Sequence, residues 1–256
     1  MKSFQILSDS IQRVFNNLGA AIMISLVPYV IAIAIAAVLW LPIGLQVLTD
    51  QRAMQAMVQA GNFPWLQFVV TLLAFVIAGL WIAVAWHRFI LLDERPGWIP
   101  QFKGDRIWAY FLRGLLIVII LIPVVIVASI VIGIVAGLIG QGNIVIAIIV
   151  SFLTFFVVWL IGLRLGTSLP GAAVKPGTSL GDGWRATSGQ WGMFAVLAVM
   201  LAVLSFVIGW IGTLLVGVPI LSLIWSIVTN WVSTMVGLSL LTTLWGHFVE
   251  GRSLSN

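Results

Sequence analysis

Residues 114–140 read GLLIVIILIPVVIVASIVIGIVAGLIG and carry no charged side chain. An α-helix rises about 1.5 Å per residue, whereas the hydrocarbon core of a bilayer is about 30 Å thick. A helix over this stretch is therefore long enough to cross the core. Because an uncharged apolar run of roughly 18 residues or more is typical of a transmembrane helix, we expect this stretch to be one.

Further apolar windows lie on both sides of this stretch. Together they predict six spans, namely Ala20–Gly44, Pro64–Leu92, Gly114–Gly140, Ile144–Leu169, Gly192–Val216 and Ile220–Gly246. The composition agrees, since 62% of the residues are apolar and 7% are charged, against roughly 45–50% and about 25% in soluble domains. The predicted fold class is all-α, a polytopic transmembrane helix bundle that forms a single integral membrane domain over residues 1–256.

Two of these boundaries have alternatives. The turn at Gly217–Pro219 has no charged residue nearby, so a re-entrant helix pair is the alternative to two complete spans. The alanines between Ala32 and Ala36 are spaced like a signal-peptidase site. The apolar run continues beyond them to Trp40, however, and this favours an uncleaved first span.

The positive charges predict the orientation. The chain has 12 Lys and Arg residues. If the spans alternate in direction, all of them except Arg52 lie on the same side of the membrane. Short loops rich in Lys and Arg are retained in the cytoplasm, so both termini are predicted to be cytoplasmic in a bacterial inner membrane. The connection from Leu45 to Phe63, which contains Arg52, is expected on the other side with a short surface helix. Nucleic-acid binding is disfavoured because the cations lie at span ends instead of clustering on one exposed face.

Short segments of the sequence recur at a constant offset. Leu7 and Asp9 match Leu180 and Asp182, and a middle copy has Asp105 at the corresponding position. The recurrence predicts three pseudo-repeated units, each with an N-terminal amphipathic interfacial helix and a transmembrane hairpin. The units are predicted over residues 1–95, 96–172 and 173–256.

The first amphipathic helix is predicted from an apolar stripe at Phe4, Leu7, Ile11, Val14 and Leu18. Such a helix is suited to the membrane surface. In the third unit, the S-x-x-D pattern of residues 179–182 predicts a capping box at the start of the helix.

A family resemblance rests on the segments around these helices. Asn16–Gly19 and Gln190–Gly192 each join a surface helix to a span, and the connection Arg164–Pro176 contains the sequence LPGAAV. In these features the chain resembles the proteobacterial YciC-like membrane proteins, which are similar to the membrane domain associated with some glycerophosphodiester phosphodiesterases. The resemblance implies an integral inner-membrane protein and supplies no catalytic residues.

The sequence lacks the motifs of several classes of chemistry. Cysteine is absent, which excludes disulfides, thiolate nucleophiles and Cys-based zinc sites. We find no H-E-x-x-H motif, glycine-rich phosphate loop or pair of intramembrane acids. The sequence therefore predicts no enzyme, no cofactor and no metal site. His87 and His247 occupy similar positions at two span ends, and haem ligation is the alternative to hydrogen-bonded interfacial histidines.

Acidic residues recur in the surface helices. Asp9, Asp105 and Asp182 are interpreted as first-turn carboxylates that oppose the helix dipole. A cytoplasmic cluster that binds a cation is the alternative interpretation.

Three arginines are candidate contacts for anionic lipids. Arg88 and Arg164 lie at the inner edges of the second and fourth spans, and Arg185 lies in the third surface helix. A guanidinium can hold a lipid phosphate with two hydrogen bonds. Simple anchoring by extension to the headgroups is the alternative.

Small residues predict where helices approach closely. Gly133, Gly137 and Gly140 form one face of the third span, and Gly162 and Gly166 repeat the spacing on the fourth. Such faces allow tight helix packing in a membrane. The predicted packing is either within one chain or against another subunit.

The functional prediction follows from the predicted spans and surface helices and from the lack of catalytic, cofactor and metal motifs. We expect a non-enzymatic membrane protein that serves membrane organisation, assembly or a larger complex as an accessory subunit. Its expected partners are membrane lipids, a second copy of the chain or such a complex. A permease or channel for a neutral or lipidic solute is the alternative, because Pro28 and Pro123 are broken-helix signals. A lipid-modifying enzyme is a third hypothesis that depends on Asp93, Glu94 and Glu250.

Overall fold

The computed structural model describes residues 2–44, 47, 51–139 and 144–254. Gly140, the last residue of the third predicted span, lies outside them. Within these residues the regular structure is helical throughout. The helices are α1 Lys2–Phe15, α2 Leu18–Trp40, α3 Gln51–Gln59, α4 Trp65–Leu92, α5 Gly104–Ile139, α6 Ile144–Gly166, α7 Leu169–Val174, α8 Leu180–Ala186, α9 Trp191–Leu214 and α10 Pro219–Phe248.

Six helical segments of the described chain are long and apolar enough to cross a membrane. They are Leu18–Trp40, Trp65–Leu92, Gly104–Val135, Phe156–Val174, Trp191–Leu214 and Ile220–Phe248. These segments correspond in order to the predicted spans. The prediction of an all-helical, multi-pass membrane protein with six candidate spans is therefore confirmed.

The connections between the spans differ in length and form. On either side of the turn at Gly217, α9 has 24 residues and α10 has 30 residues. Each is long enough to cross a bilayer, as a full span requires and a short re-entrant helix does not. The helix predicted near Arg52 is confirmed as α3. Helix α5 begins at Gly104, ten residues before the predicted span, and runs without a break through Gly114 and Pro123 for 36 residues.

One end of the bundle is more tightly packed than the rest. Helix α1 packs against the C-terminal part of α10, so the first and last described helices meet at this end. We call it the terminal end. Three clusters of buried side chains form there: one joins α1, α6, α9 and α10, a second joins α1, α2, α4 and α10, and a third joins α4, α5 and α7.

Helix α1 buries one face against the other helices. Leu7 and Val14 of its predicted apolar stripe are buried, but Phe4 is exposed. Polar side chains share the buried face, and Ser3 donates a hydrogen bond to the carbonyl oxygen of Met193 at 3.1 Å. The stripe therefore packs against protein only in part, since Leu18 is exposed as well. The short polar side chains on the buried face are satisfied by hydrogen bonds.

Indole hydrogen bonds tie the spans together. Trp40 Nε1 donates to Thr71 Oγ1 at 2.9 Å, which links α2 to α4. Trp231 Nε1 donates to Ser25 Oγ at 2.8 Å, which links α10 to α2. Because a polar group in hydrocarbon lacks water as a partner, these bonds satisfy four side chains and hold their helices together.

Candidate functional site

A buried histidine lies where α4, α5 and α10 meet at the terminal end. His87 Nδ1 is 2.7 Å from Thr242 Oγ1, and its Nε2 is 3.2 Å from the hydroxyl oxygen of Tyr110. All three side chains are buried. His247 instead has its Nδ1 3.0 Å from the carbonyl oxygen of Arg252. Both ring nitrogens of His87 are thus engaged in hydrogen bonds, as the hydrogen-bonded interpretation requires.

A buried carboxylate joins α1 to α10. Asp9 is 2% exposed, and its Oδ2 accepts hydrogen bonds from Arg13 Nε at 2.5 Å and Thr243 Oγ1 at 3.2 Å. Helix α1 begins at Lys2 and has no acidic residue in its first turn. The interpretation of Asp9 as a first-turn carboxylate is therefore wrong, because the helix starts earlier and the side chain turns inward.

The other two aspartates do occupy first turns. Asp105 lies in the first turn of α5, and Asp182 lies in that of α8. The predicted capping box is confirmed, since Asp182 Oδ2 accepts a hydrogen bond from the backbone nitrogen of Ser179 at 2.6 Å. This bond lowers the pKa of the Asp182 carboxyl group, because it stabilises the charged form. The aspartates have different partners, and the described residues contain no group of three or more His, Cys, Asp or Glu side chains placed to hold a metal.

Arg164 lies between two indole rings. Its guanidinium carbon is 3.9 Å from the ring centroids of both Trp184 and Trp191. The side chain also donates to the carbonyl oxygen of Trp184 at 3.1 Å and to Thr187 Oγ1 at 3.3 Å. With 2% of the residue exposed, the guanidinium is covered by protein. Arg164 thus holds α8 and α9 against α6. Its guanidinium does not lie on an exposed surface of the bundle.

Arg88 and Arg185, the other predicted lipid contacts, both form ion pairs. Arg88 donates to both carboxylate oxygens of Glu94, one of them at 2.8 Å, and this lowers the pKa of Glu94. Arg185 pairs with Asp182 at 3.0 Å, and its side chain is 76% exposed. The three predicted arginines therefore have different surroundings and do not form one site.

Four arginines at the terminal end share a feature that the sequence analysis missed. Each donates to a backbone carbonyl in the last turn of a helix or, for Ser168, in the turn between α6 and α7. The last four carbonyls of a helix lack partners within it, and they lie at the negative end of its dipole. The carbonyls are those of Ala173, Ser168, Trp184 and Leu91, bound by Arg88, Arg113, Arg164 and Arg252 in that order at 3.0, 2.9, 3.1 and 2.6 Å.

The closest backbone approaches also involve residues that the sequence analysis did not select. A Cβ atom on Gly183 would lie 2.8 Å from the backbone nitrogen of Ser168, and one on Gly171 would overlap the ring of Trp245. The short helices α7 and α8 can therefore pack closely only because these positions are glycine.

The predicted glycine faces divide into two groups. A Cβ atom on Gly166 would lie 3.2 Å from a methyl group of Leu241, and one on Gly162 would lie 3.7 Å from Leu121. A Cβ atom on Gly133 or Gly137 would meet no described side chain within 4 Å, and Gly140 is outside the described residues. Packing of the α5 face against another subunit stays a prediction.

An apolar cavity of about 560 Å³ lies between α5, α6, α9 and α10. Its volume is within the range of roughly 300–1,000 Å³ that is typical of small-molecule sites. The α6 wall contains Gly162 and Gly166, whose missing side chains leave part of the space empty. The side chains facing it include Phe15, Ile117, Leu121, Trp159, Leu204, Ser205, Ile208, Ser233 and Leu240.

The cavity extends from the terminal end into the bundle. Phe15 of α1 lies at one end, and Ser205 is 14 residues into α9, about 21 Å along the helix axis. Ser205, Ser233 and Gly237 are exposed, so the cavity is open at the side of the bundle. None of the described residues that line it is titratable. The arrangement suits an apolar chain and offers no group for proton transfer.

Comparisons with known proteins give no assignment. No protein-family model matches the sequence, and neither curated proteins nor solved structures give a significant match.

Proposed function

We propose that this chain is a non-enzymatic inner-membrane protein that holds the hydrocarbon chain of a lipid in the cavity between α5, α6, α9 and α10. Lipid binding of this kind would serve membrane organisation or the assembly of a larger membrane complex. The observation that carries the proposal is the cavity itself, which is about 560 Å³ in volume, apolar and open at the side of the bundle.

The chemistry of the cavity wall favours hydrocarbon over a polar solute. Pockets that bind polar ligands place several polar groups to fix orientation. Here Ser205 and Ser233 supply the only side-chain hydroxyl groups among the described residues that line the cavity. A hydrocarbon chain leaves no polar atom unpaired in such a place, whereas a buried polar group without a hydrogen bond costs free energy.

The non-enzymatic assignment rests on how the charged groups are used. Asp9 is paired with Arg13, Glu94 with Arg88 and Asp182 with Arg185. Each of these carboxylates is held by a structural ion pair. This use supports scaffolding over acid–base catalysis, including the lipid-modifying chemistry considered for Glu94.

The finer architecture is part of the same proposal. We place the terminal end in the cytoplasm, because all Lys and Arg residues except Arg52 fall on that side when the spans alternate. Three pseudo-repeated units and membership of the YciC-like family are proposed with it. In the first and third units a separate helix, α1 or α8, precedes the span, whereas in the middle unit the corresponding segment continues directly into α5.

A cavity-filling substitution tests lipid binding. A Cβ atom on Gly237 would meet no described atom within 4 Å, so Gly237→Leu is expected to fold and to place its side chain in the cavity. Displacing a side chain to admit a lipid costs about 1–3 kcal/mol, which weakens occupancy roughly five-fold or more. The measurement is crosslinking, in nanodiscs, of the protein to a phospholipid with a photoreactive group on its acyl chain.

Gly209→Leu provides the matched control. Gly209 is on α9, it does not line the cavity, and a Cβ atom there would also meet no described atom within 4 Å. We expect normal crosslinking in this variant. Equal crosslinking in both variants would contradict the proposal that the cavity holds a lipid chain.

The cavity also bears on the alternative function, a permease for a lipidic solute. Such a protein would move a fluorescent lipid between leaflets in reconstituted liposomes at a saturable rate. A holding site predicts no flux above that of protein-free liposomes, so a saturable flux abolished by Gly237→Leu would favour the permease.

A further inference from the structure

The loop between α4 and α5, residues 93–103, encloses a second and chemically different site. Helix α4 ends at Leu92, and Asp93 turns the chain with a left-handed conformation at φ 58°. The loop then folds back so that a cleft of about 160 Å³ lies between it, Ile24 of α2 and Ala85 of α4. This cleft does not share lining residues with the apolar cavity.

The cleft has an excess of positive charge. Its charged residues are Arg88, Glu94, Arg95 and Lys103. Arg88 and Glu94 neutralise each other through their ion pair. Across the described residues, the side chains of Arg95 and Lys103 form no hydrogen bond and no ion pair. The charge of Lys103 acts on Glu94 only at a distance, where it adds to the effect of Arg88 in lowering the pKa of that carboxyl group. Two positive charges are therefore available to a ligand.

The surroundings of the cleft indicate the source of that ligand. Trp98 is 86% exposed, Ile99 is 65% exposed and Phe102 is 57% exposed, all on the loop that bears the cations. Exposed tryptophan and aliphatic side chains beside Lys or Arg are typical of a segment that enters the headgroup region of a bilayer. A free anion would need the cations but would gain nothing from the apolar side chains.

We propose that this cleft binds the phosphate of an anionic phospholipid headgroup, with Arg95 and Lys103 as its charged contacts. The guanidinium of Arg95 can offer two parallel N–H donors to phosphate oxygens, and the Lys103 ammonium adds a point charge. Trp98, Ile99 and Phe102 insert beside the headgroup, and Ile24 forms an apolar wall toward the spans. Arg88 holds the loop in place through Glu94 and is a positioning residue.

This site is independent of lipid binding in the cavity. In the proposed orientation it faces the cytoplasmic leaflet, where anionic lipids attract basic segments. A cation near such a surface adds about 1 kcal/mol, which is roughly a five-fold gain in affinity. Removal of both charges is therefore expected to lower affinity by roughly 25-fold.

The test uses the full chain in neutral detergent and counts bound ligand by native mass spectrometry. Short-chain phosphatidylglycerol, short-chain phosphatidylcholine and inorganic phosphate are titrated separately. The variant Arg95→Gln/Lys103→Gln removes two unpaired surface charges and should fold as the parent does, with an unchanged melting temperature. The control Lys2→Gln/Lys175→Gln removes two exposed charges elsewhere.

The expected result is tight binding of phosphatidylglycerol that falls roughly 25-fold in the Arg95/Lys103 variant and stays unchanged in the control. Phosphatidylcholine should bind weakly in every case. Equal losses in both variants would overturn the proposal, because net charge alone would then explain binding. Inorganic phosphate binding as tightly as the lipid would also overturn it. Gly237→Leu should leave this headgroup preference unchanged. The proposal for the cavity and the proposal for the cleft can therefore be contradicted independently of each other.

Discussion

Gly183→Ala should be less stable than Gly181→Ala by about 1–3 kcal/mol. Both glycines are in α8, so the gain in helix propensity, about 1 kcal/mol, is similar for the two variants and cancels in their difference. A Cβ atom on Gly183 would lie 2.8 Å from the backbone nitrogen of Ser168, whereas one on Gly181 would have its nearest neighbour at 3.6 Å. The clash is with backbone in the turn between α6 and α7, which cannot rotate away as a flexible side chain can.

The comparison is made by thermal unfolding of both variants in the same detergent. A change of 1 kcal/mol shifts the melting temperature by about 2–4 °C in proteins of about 150–250 residues. Gly183→Ala should therefore melt several degrees below Gly181→Ala. Equal melting temperatures would show that α8 does not pack against the turn as closely as the structure places it.

The spans were predictable because the bilayer imposes one simple demand. Every backbone group in hydrocarbon must find a partner within the chain, and helices meet this demand locally. Hydropathy therefore locates the spans without any knowledge of tertiary contacts. It locates the edge of the membrane and not the end of a helix, which explains why α5 begins at Gly104 although the apolar run begins at Gly114.

Local capping was also readable from the sequence. The Ser179–Asp182 pair needs only residues three apart, so its pattern specifies its own partner. Asp9 instead has a partner that is distant in the sequence, because Thr243 lies on α10. Periodicity placed Asp9 away from the apolar stripe, yet it could not tell that α10 covers that side.

The arginines illustrate the same limit at the candidate site. Their uneven distribution predicts orientation, and the positions of Arg88 and Arg164 at the edges of spans predict lipid contacts. The structure reveals helix-end carbonyls as partners of both. These partners come from α7 and α8, two helices of six and seven residues whose packing depends on Gly171 and Gly183.

This use of arginine has a physical basis at a membrane boundary. Helix ends leave carbonyls without partners, and a guanidinium has five donors to satisfy them. A lysine offers a more strongly hydrated charge in a different geometry. Arginines at the terminal end thus satisfy carbonyls near helix ends, so a structural role competes with lipid binding for each of them.

Arg164→Met should give the other large loss of stability, about 2–4 kcal/mol. A desolvated cation–π contact contributes about 2 kcal/mol or more, and Arg164 faces two indoles at 3.9 Å. The hydrogen bonds from Arg164 to Trp184 and Thr187 would also be lost, and a hydrogen bond that involves a charged group contributes about 1.5–3 kcal/mol. The carbonyl of Trp184 keeps Thr187 Oγ1 as a donor at 3.2 Å. Relief of the buried charge offsets part of this loss, since methionine fills similar space without being charged.

Arg185→Met is the matched control on α8. Its side chain is 76% exposed and pairs with Asp182, and an exposed ion pair contributes about 0–1 kcal/mol. Thermal unfolding should separate the two variants by several degrees, and hydrogen exchange should show faster exchange in α8 and at the start of α9 for Arg164→Met alone. If Arg164→Met melts with Arg185→Met and α8 keeps its protection, the guanidinium does not hold α8 in place. Because α8 also packs through Gly183, the two substitutions act on one contact and their effects should not be additive.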